Sequence, residues 1–258
     1  MSGVRPDKRL GQHFLHEKRV VERIVEAIGV VPGERVVEIG PGTGVLTKAL
    51  LEAGALVTAI EIDERCWDVL DAMSAAYGGR LTVVRGDALQ VLGREVPVAG
   101  VKVAGNLPYN VGTEIVVRLV EMREAPPLEM VFMLQKEVIE RICAVPDTRD
   151  WGRLGVLCDL LCEREDLFDV APGAFTPPPK VMSSVVRLTP LPAPRVEVDM
   201  AKLDKVLRLI FGQRRKMLRG VLKGAVSEQT MLELGIEPTL RGEVLDTAQI
   251  CSLASAAR

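Results

Sequence analysis

The stretch Gly40-Pro41-Gly42-Thr43-Gly44 constrains how this chain can fold, although a glycine-rich strand–helix turn is by itself a weak signal. It follows Arg35 to Ile39, which reads as a buried parallel strand, and it precedes a helical stretch, Val45 to Glu52. Glycines at such a turn let the backbone approach a ligand closely, and the helix start presents N–H groups with no partner inside the helix. The spacing is G-x-G-x-G. A dinucleotide fingerprint wants its third glycine at position 45, where this chain has Val45. No Walker lysine follows the glycines, which argues against ATP.

Around this turn, helical and strand patterns alternate. Val20, Val21, Ile24, Val25 and Ile28 recur at helical spacing, and Gly29 ends that helix. Strands are predicted at 56–60, 81–84, 101–104 and 128–134. Helices are predicted at 64–76 and 113–123, from Gln135 onward, and at 154–162. Segments 166–170 and 184–188 read as closing antiparallel strands. The predicted fold is α/β: a doubly wound, Rossmann-like sheet, mostly parallel. Ligands bind such sheets outside the carboxyl ends of the strands. Gly40, Gly42, Glu61, Asp87 and Asn106 all fall at that edge. Glu61 lies about 20 residues past the glycine turn, where such folds hold a ribose diol. Asp87 is suited either to accept from an adenine amine or to cap a short helix. The set suits an adenosine-bearing cofactor without a diphosphate, and S-adenosylmethionine fits it.

Asn106-Leu107-Pro108-Tyr109 follows the apolar run 101–104 and Gly105. The Asn106 amide oxygen and the Leu107 carbonyl can each accept an N–H. Pro108 has a fixed φ and no donor, and Tyr109 offers a ring face. This combination suits a planar group bearing an amine. Phe175 begins the stiff loop Phe175-Thr176-Pro177-Pro178-Pro179-Lys180-Val181, and it is expected to offer a second ring face.

Pro190, Pro192 and Pro194 mark a linker. Domains are therefore expected at 1–189, with a polar, mobile arm at 1–9, and at 190–258. From Lys202 to Lys223 there are eight Lys or Arg against one acid, Asp204. The whole chain carries a net charge of −2, so this basic run is a local exception. Arg214-Arg215-Lys216 is expected to open a helix and, with Arg219, to meet phosphate groups. Further helices are predicted at 227–234 and 247–256. The five cysteines form no C-x-x-C pair, and no metal site is expected. Cys158 and Cys162 are expected to share one helix face. No secretory signal and no span of 18 apolar residues is evident, which points to a reduced, cytoplasmic setting.

Taken in order, Leu10–Leu15, Val37–Gly44, Asn106–Tyr109, Met133–Val138, Phe175–Val181 and Phe211–Lys216 resemble the ribosomal RNA adenine dimethyltransferase family. The resemblance implies transfer of two methyl groups to the N6 amine of each of two adjacent adenosines near the 3′ end of small-subunit rRNA. It also implies a pre-ribosomal particle as substrate and a single chain as the working unit. His13, Leu15, Gly40, Glu61, Asp87 and Asn106 are implied cofactor contacts. Position 13 is His where the family often has Asn, and a backbone contact there survives the change. Three rivals are a large-subunit rRNA methyltransferase, a glutamine-directed protein methyltransferase, and an assembly factor without catalysis. The loop at Phe175–Val181 and the run Phe211–Lys216 favour the small-subunit enzyme.

Overall fold

The computed structural model describes Val4 and residues 11–258. The expected mobile arm at 1–9 (Val4 apart) and Leu10 lie outside the described residues. The chain forms two compact units, Met1–Ile139 with Arg164–Pro190, and Glu140–Glu163 with Leu191–Arg258. Segment 140–163, expected in the first domain, is thus grouped with the C-terminal helices.

The elements run β1 (Phe14–Leu15), α1 (Lys18–Ile28), β2 (Arg35–Ile39), α2 (Val45–Glu52), β3 (Leu56–Glu61), α3 (Glu64–Ala76) and β4 (Leu81–Arg85). Next come α4 (Ala88–Val91), β5 (Lys102–Asn106), α5 (Gly112–Val120), β6 (Glu129–Gln135), α6 (Lys136–Ile142) and α7 (Arg153–Leu161). Then follow β7 (Cys162–Val170), β8 (Phe175–Thr176), β9 (Ser183–Pro190), α8 (Met200–Gly212), α9 (Leu218–Val221), α10 (Glu228–Glu233) and α11 (Thr247–Ala256).

Seven strands form one sheet in the order β4-β3-β2-β5-β6-β9-β7. β2 pairs in parallel with both β3 and β5, so the chain order reverses at β2. Such a switch point opens a crevice at the carboxyl ends of the strands. β9 runs antiparallel to β6 and helps close the sheet, as expected. The central strands are buried and rich in Val, Ile and Ala, as strands covered on both faces must be. Val21, Ile24 and Ile28 of α1 join Leu46, Leu50 and Leu51 of α2 in the core over Val36, Val57 and Ala104. Each Val, Leu or Ile among them contributes about 1.5–3 kcal/mol by leaving water.

In the second unit, α8 buries Leu203, Val206, Leu207 and Ile210. Trp151 is fully buried, and its indole N–H donates to the Leu245 carbonyl at 2.9 Å. Two expectations fail here. Cys162 is extended at the start of β7, so it does not share a helix face with Cys158; both are buried. Residues 214–216 form a turn rather than opening a helix, and α9 begins only at Leu218. Among the described residues, no helix is long and apolar enough to cross a membrane.

Candidate active site

The crevice at the switch point is lined from four directions: the glycine turn after β2, the end of β3, the end of β4 and the end of β5. A short arm, residues 11–15, closes the fifth side.

The glycine turn has positive φ at Gly40, Gly42 and Gly44. Gly42 also has no room for a side chain, since a Cβ there would meet the Phe14 ring at 2.9 Å. The arm therefore packs directly on the turn. Gly105 is equally confined, because a Cβ would collide with the Ile39 carbonyl.

Glu61 ends β3 with its side chain turned inward, and the residue is only 3 % exposed. Its Oε2 accepts the Gly42 N–H at 2.8 Å, and its Oε1 accepts the Asp63 N–H at 2.8 Å. Burial raises its pKa, while the Asp63 and Gly42 N–H groups oppose the rise. Asp87 takes the capping alternative. Its Oδ1 caps α4 through the Leu89 N–H at 2.9 Å, and the residue still lines the crevice.

Asn106 is held through its amide nitrogen. Its Nδ2 donates to the His13 carbonyl at 3.0 Å. The amide is thereby turned so that Oδ1 is its remaining polar atom. Leu107 and Pro108 line the crevice beside it. Among the described residues, no backbone hydrogen bond is made to the Leu107 carbonyl. Tyr109 is half-buried. Its hydroxyl pairs with Ser183 Oγ at 2.6 Å, and its ring lies 5.2 Å from that of His13. Burial raises the phenol pKa. The His13 ring itself is tied by Nδ1 to the Pro177 carbonyl at 2.7 Å. Leu15 lines the crevice from the core side.

Phe175 does not join this set. It pairs with Leu15 across β1 and β8 and is 2 % exposed in the core. A ring spent on core packing cannot stack on a ligand, so the expected second face is corrected. Sequence reasoning misses Glu38, Ile62, Gln12 and Ser183. Glu38 is legible as an acid inside an apolar strand. Ile62 is legible as an apolar residue after the strand-end acid, left 50 % exposed. Gln12 and Ser183 matter only through contacts distant in sequence.

Three carboxyl groups, Glu38, Glu61 and Asp87, line the crevice, and no Lys or Arg does among the described residues. Even with Glu38 protonated below about 8, this lining disfavours a di- or triphosphate and suits a cationic sulfonium cofactor. Glu61 has acceptor capacity left for hydroxyls, and exposed Ile62 offers an apolar face for a purine. The residues present therefore fit S-adenosylmethionine. No His/Cys/Asp/Glu group able to hold a metal occurs among the described residues.

On the second unit, the basic run divides by role. Lys202 and Lys205 donate to the Ala257 and Arg258 carbonyls, and Arg208 pairs with Asp204. Arg214 donates to the Trp151 and Arg149 carbonyls and pairs with Glu243. Its guanidinium thus braces the fold, which corrects its expected role as a phosphate contact. Arg215, Lys216, Arg219 and Lys223 are exposed.

A family model described as ribosomal RNA adenine dimethylase matches residues 4–257. Ribosomal RNA small subunit methyltransferase A of Ruegeria sp. strain TM1040 is 45 % identical over 252 residues, covering 96 % of this chain and 90 % of that protein. Its namesake in Pseudomonas aeruginosa strain PAO1 is 44 % identical over 257 residues, covering 97 % and 94 %. A dimethyladenosine transferase from Plasmodium falciparum superposes with a TM-score of 0.79 at 25 % identity, covering 93 % of this chain and 96 % of that one. The 23S rRNA methyltransferase ErmE gives 0.70 at 25 % identity, covering 93 % and 98 %. With a crevice built for a sulfonium cofactor and a family match running almost end to end, the chain belongs to the ribosomal RNA adenine dimethylases.

Proposed function

We propose that this protein dimethylates the N6 amine of two adjacent adenosines near the 3′ end of small-subunit rRNA, using S-adenosylmethionine, during ribosome biogenesis. The observation that carries the proposal is the fixed amide of Asn106, whose nitrogen is engaged by the His13 carbonyl. S-adenosylmethionine supplies a methyl group on a cationic sulfur. An adenine amine is a weak nucleophile because its lone pair is delocalised into the ring. Asn106 Oδ1 and the Leu107 carbonyl accept its two N–H groups, which favours a pyramidal nitrogen and stabilises the positive charge that develops there. Holding the amine in place supplies much of the remaining acceleration. Tyr109 stacks on the base, which must leave its helix to enter the crevice. Its ring is already oriented by Ser183. A strong general base is not required, since the proton leaves a cationic product.

Glu61 takes the ribose hydroxyls and Asp87 the adenine amine of the cofactor. Gly40, Gly42, His13 and Leu15 border its remaining parts. Arg215, Lys216 and Arg219 contact rRNA phosphates of a pre-ribosomal small-subunit particle, from a helical rRNA-binding domain. The enzyme acts as a monomer in the cytoplasm. The small-subunit assignment is supported by 44–45 % identity to small-subunit enzymes over almost the whole chain.

Asn106→Ala tests the central role. Transfer of tritiated methyl groups to undermethylated small subunits should fall by about 100-fold or more. Calorimetry should find cofactor affinity changed by no more than about fivefold, the scale of one hydrogen bond. Near-normal turnover would refute the role.

A further inference from the structure

We propose that Gln12 is a positioning residue for methyl transfer: it anchors the arm so that the His13 carbonyl keeps the Asn106 amide oxygen facing the crevice. The proposal rests on Asn106 being the acceptor for the substrate amine.

An asparagine amide is nearly symmetric in shape. A half-turn about its last bond exchanges an acceptor for a pair of donors. A flipped Asn106 would present N–H groups to the N–H groups of adenine, removing one of the two acceptors. The His13 carbonyl, 3.0 Å from Nδ2, selects the productive orientation. That carbonyl belongs to an irregular segment just before β1, so its position depends on what holds the arm.

Downstream, the arm is held by the pairing of Phe14 with Thr176 and by the bond from the His13 ring to Pro177. Upstream, the hold is Gln12. Its Nε2 donates to Asp63 Oδ2 at 2.7 Å. Asp63 is itself fixed by Arg65, whose Nε and Nη2 reach Oδ1 and Oδ2 at 2.8 and 2.6 Å. Arg65 Nη2 also reaches Gln12 Oε1 at 3.2 Å. The bonds to Arg65 hold the Asp63 carboxyl down to about 2, so it stays an acceptor at any working pH.

The clasp is continuous with the cofactor side of the crevice. Gly42 N–H binds Glu61, and Glu61 binds the Asp63 N–H. Asp63 binds Gln12, and the neighbouring His13 carbonyl binds Asn106. One hydrogen-bonded path thus joins the residue assigned to the ribose to the residue assigned to the substrate amine.

The test is single-turnover methyl transfer by the full-length protein on undermethylated small subunits, at saturating cofactor and substrate. Gln12→Ala should lower the rate about tenfold, as expected for loss of one orienting hydrogen bond and a misplaced acceptor. Gln12→Glu, which keeps the length but turns an acceptor toward Asp63, should do the same. In an Asn106→Ala background, Gln12→Ala should add no further loss, because it acts through the missing amide. A merely structural role would lower melting temperature without this non-additivity. An unchanged rate in Gln12→Ala, or the same fold-loss with and without Asn106, overturns the proposal while leaving Asn106 as acceptor. Wild-type transfer by Asn106→Ala alone overturns both.

Discussion

Glu61 Oε2 lies 2.8 Å from the amide nitrogen of Gly42, so the strand-end acid pins the glycine turn. Its other oxygen pins Asp63 N–H. Replacing the carboxylate with an amide sets an NH2 group against one of these N–H donors. Glu61→Gln should therefore cost about 1–3 kcal/mol of stability. It should also weaken S-adenosylmethionine binding by about tenfold or more, because a charged acceptor is gone. Thermal melts and calorimetry measure the two effects separately.

Glu38 is 1 % exposed, and its Oε2 has no hydrogen-bond partner. Burial pushes its pKa up to about 8, with the Glu61 charge adding to the rise and Thr47 opposing it. The Thr47 hydroxyl lies near without reaching hydrogen-bond geometry. A carboxyl whose pKa rises on folding favours the fold while protonated. Its contribution is complete below the unfolded value, 4.5, and is lost as pH rises toward about 8. Glu38→Gln has no such proton to lose. Across this window the melting temperature of Glu38→Gln should gain steadily on that of the natural protein. Parallel curves would exclude a titrating Glu38.

Arg214 and its neighbours should separate cleanly. Arg215→Glu, Lys216→Glu and Arg219→Glu together should weaken binding to small-subunit particles. They should also flatten its dependence on salt, by about 0.7–0.9 in log–log slope for each phosphate no longer neutralised. Arg214→Ala should instead destabilise the fold by about 1–3 kcal/mol, because it strips the donor from the Trp151 and Arg149 carbonyls. Binding titrations at several salt concentrations and denaturant melts provide the comparison. An unaltered salt slope in the triple variant would remove the phosphate assignment.

Phe175 and Tyr109 provide a similar contrast. Phe175→Ala should cost about 3–5 kcal/mol, as for other buried aromatics. The milder Phe175→Leu, assayed well below its melting temperature, should transfer methyl groups at close to the natural rate. Tyr109→Ala should raise the KM for the rRNA particle, since stacking a base on an aromatic ring is worth about 1–3 kcal/mol. Finding the rate loss in Phe175→Leu rather than Tyr109→Ala would reverse the two roles.

The sequence by itself determined the parallel sheet, the glycine turn and which strand ends face the crevice. These features are written in local signals: apolar runs of strand length, helical spacing at Val20 to Ile28, and glycines at fixed intervals. Short-range rules suffice for them, because strand and helix period depend on neighbours a few residues away. The tertiary structure decided which polar groups remain available. Phe175 and Arg214 look functional in sequence, but one ring is buried beside Leu15 and one guanidinium is bound by Trp151, Arg149 and Glu243. Conversely, Gln12 and Ser183 look ordinary until they meet partners 51 and 74 residues away. A side chain's chemistry depends on who shares its hydrogen bonds, and for these residues the sharers are brought together only by the folded chain.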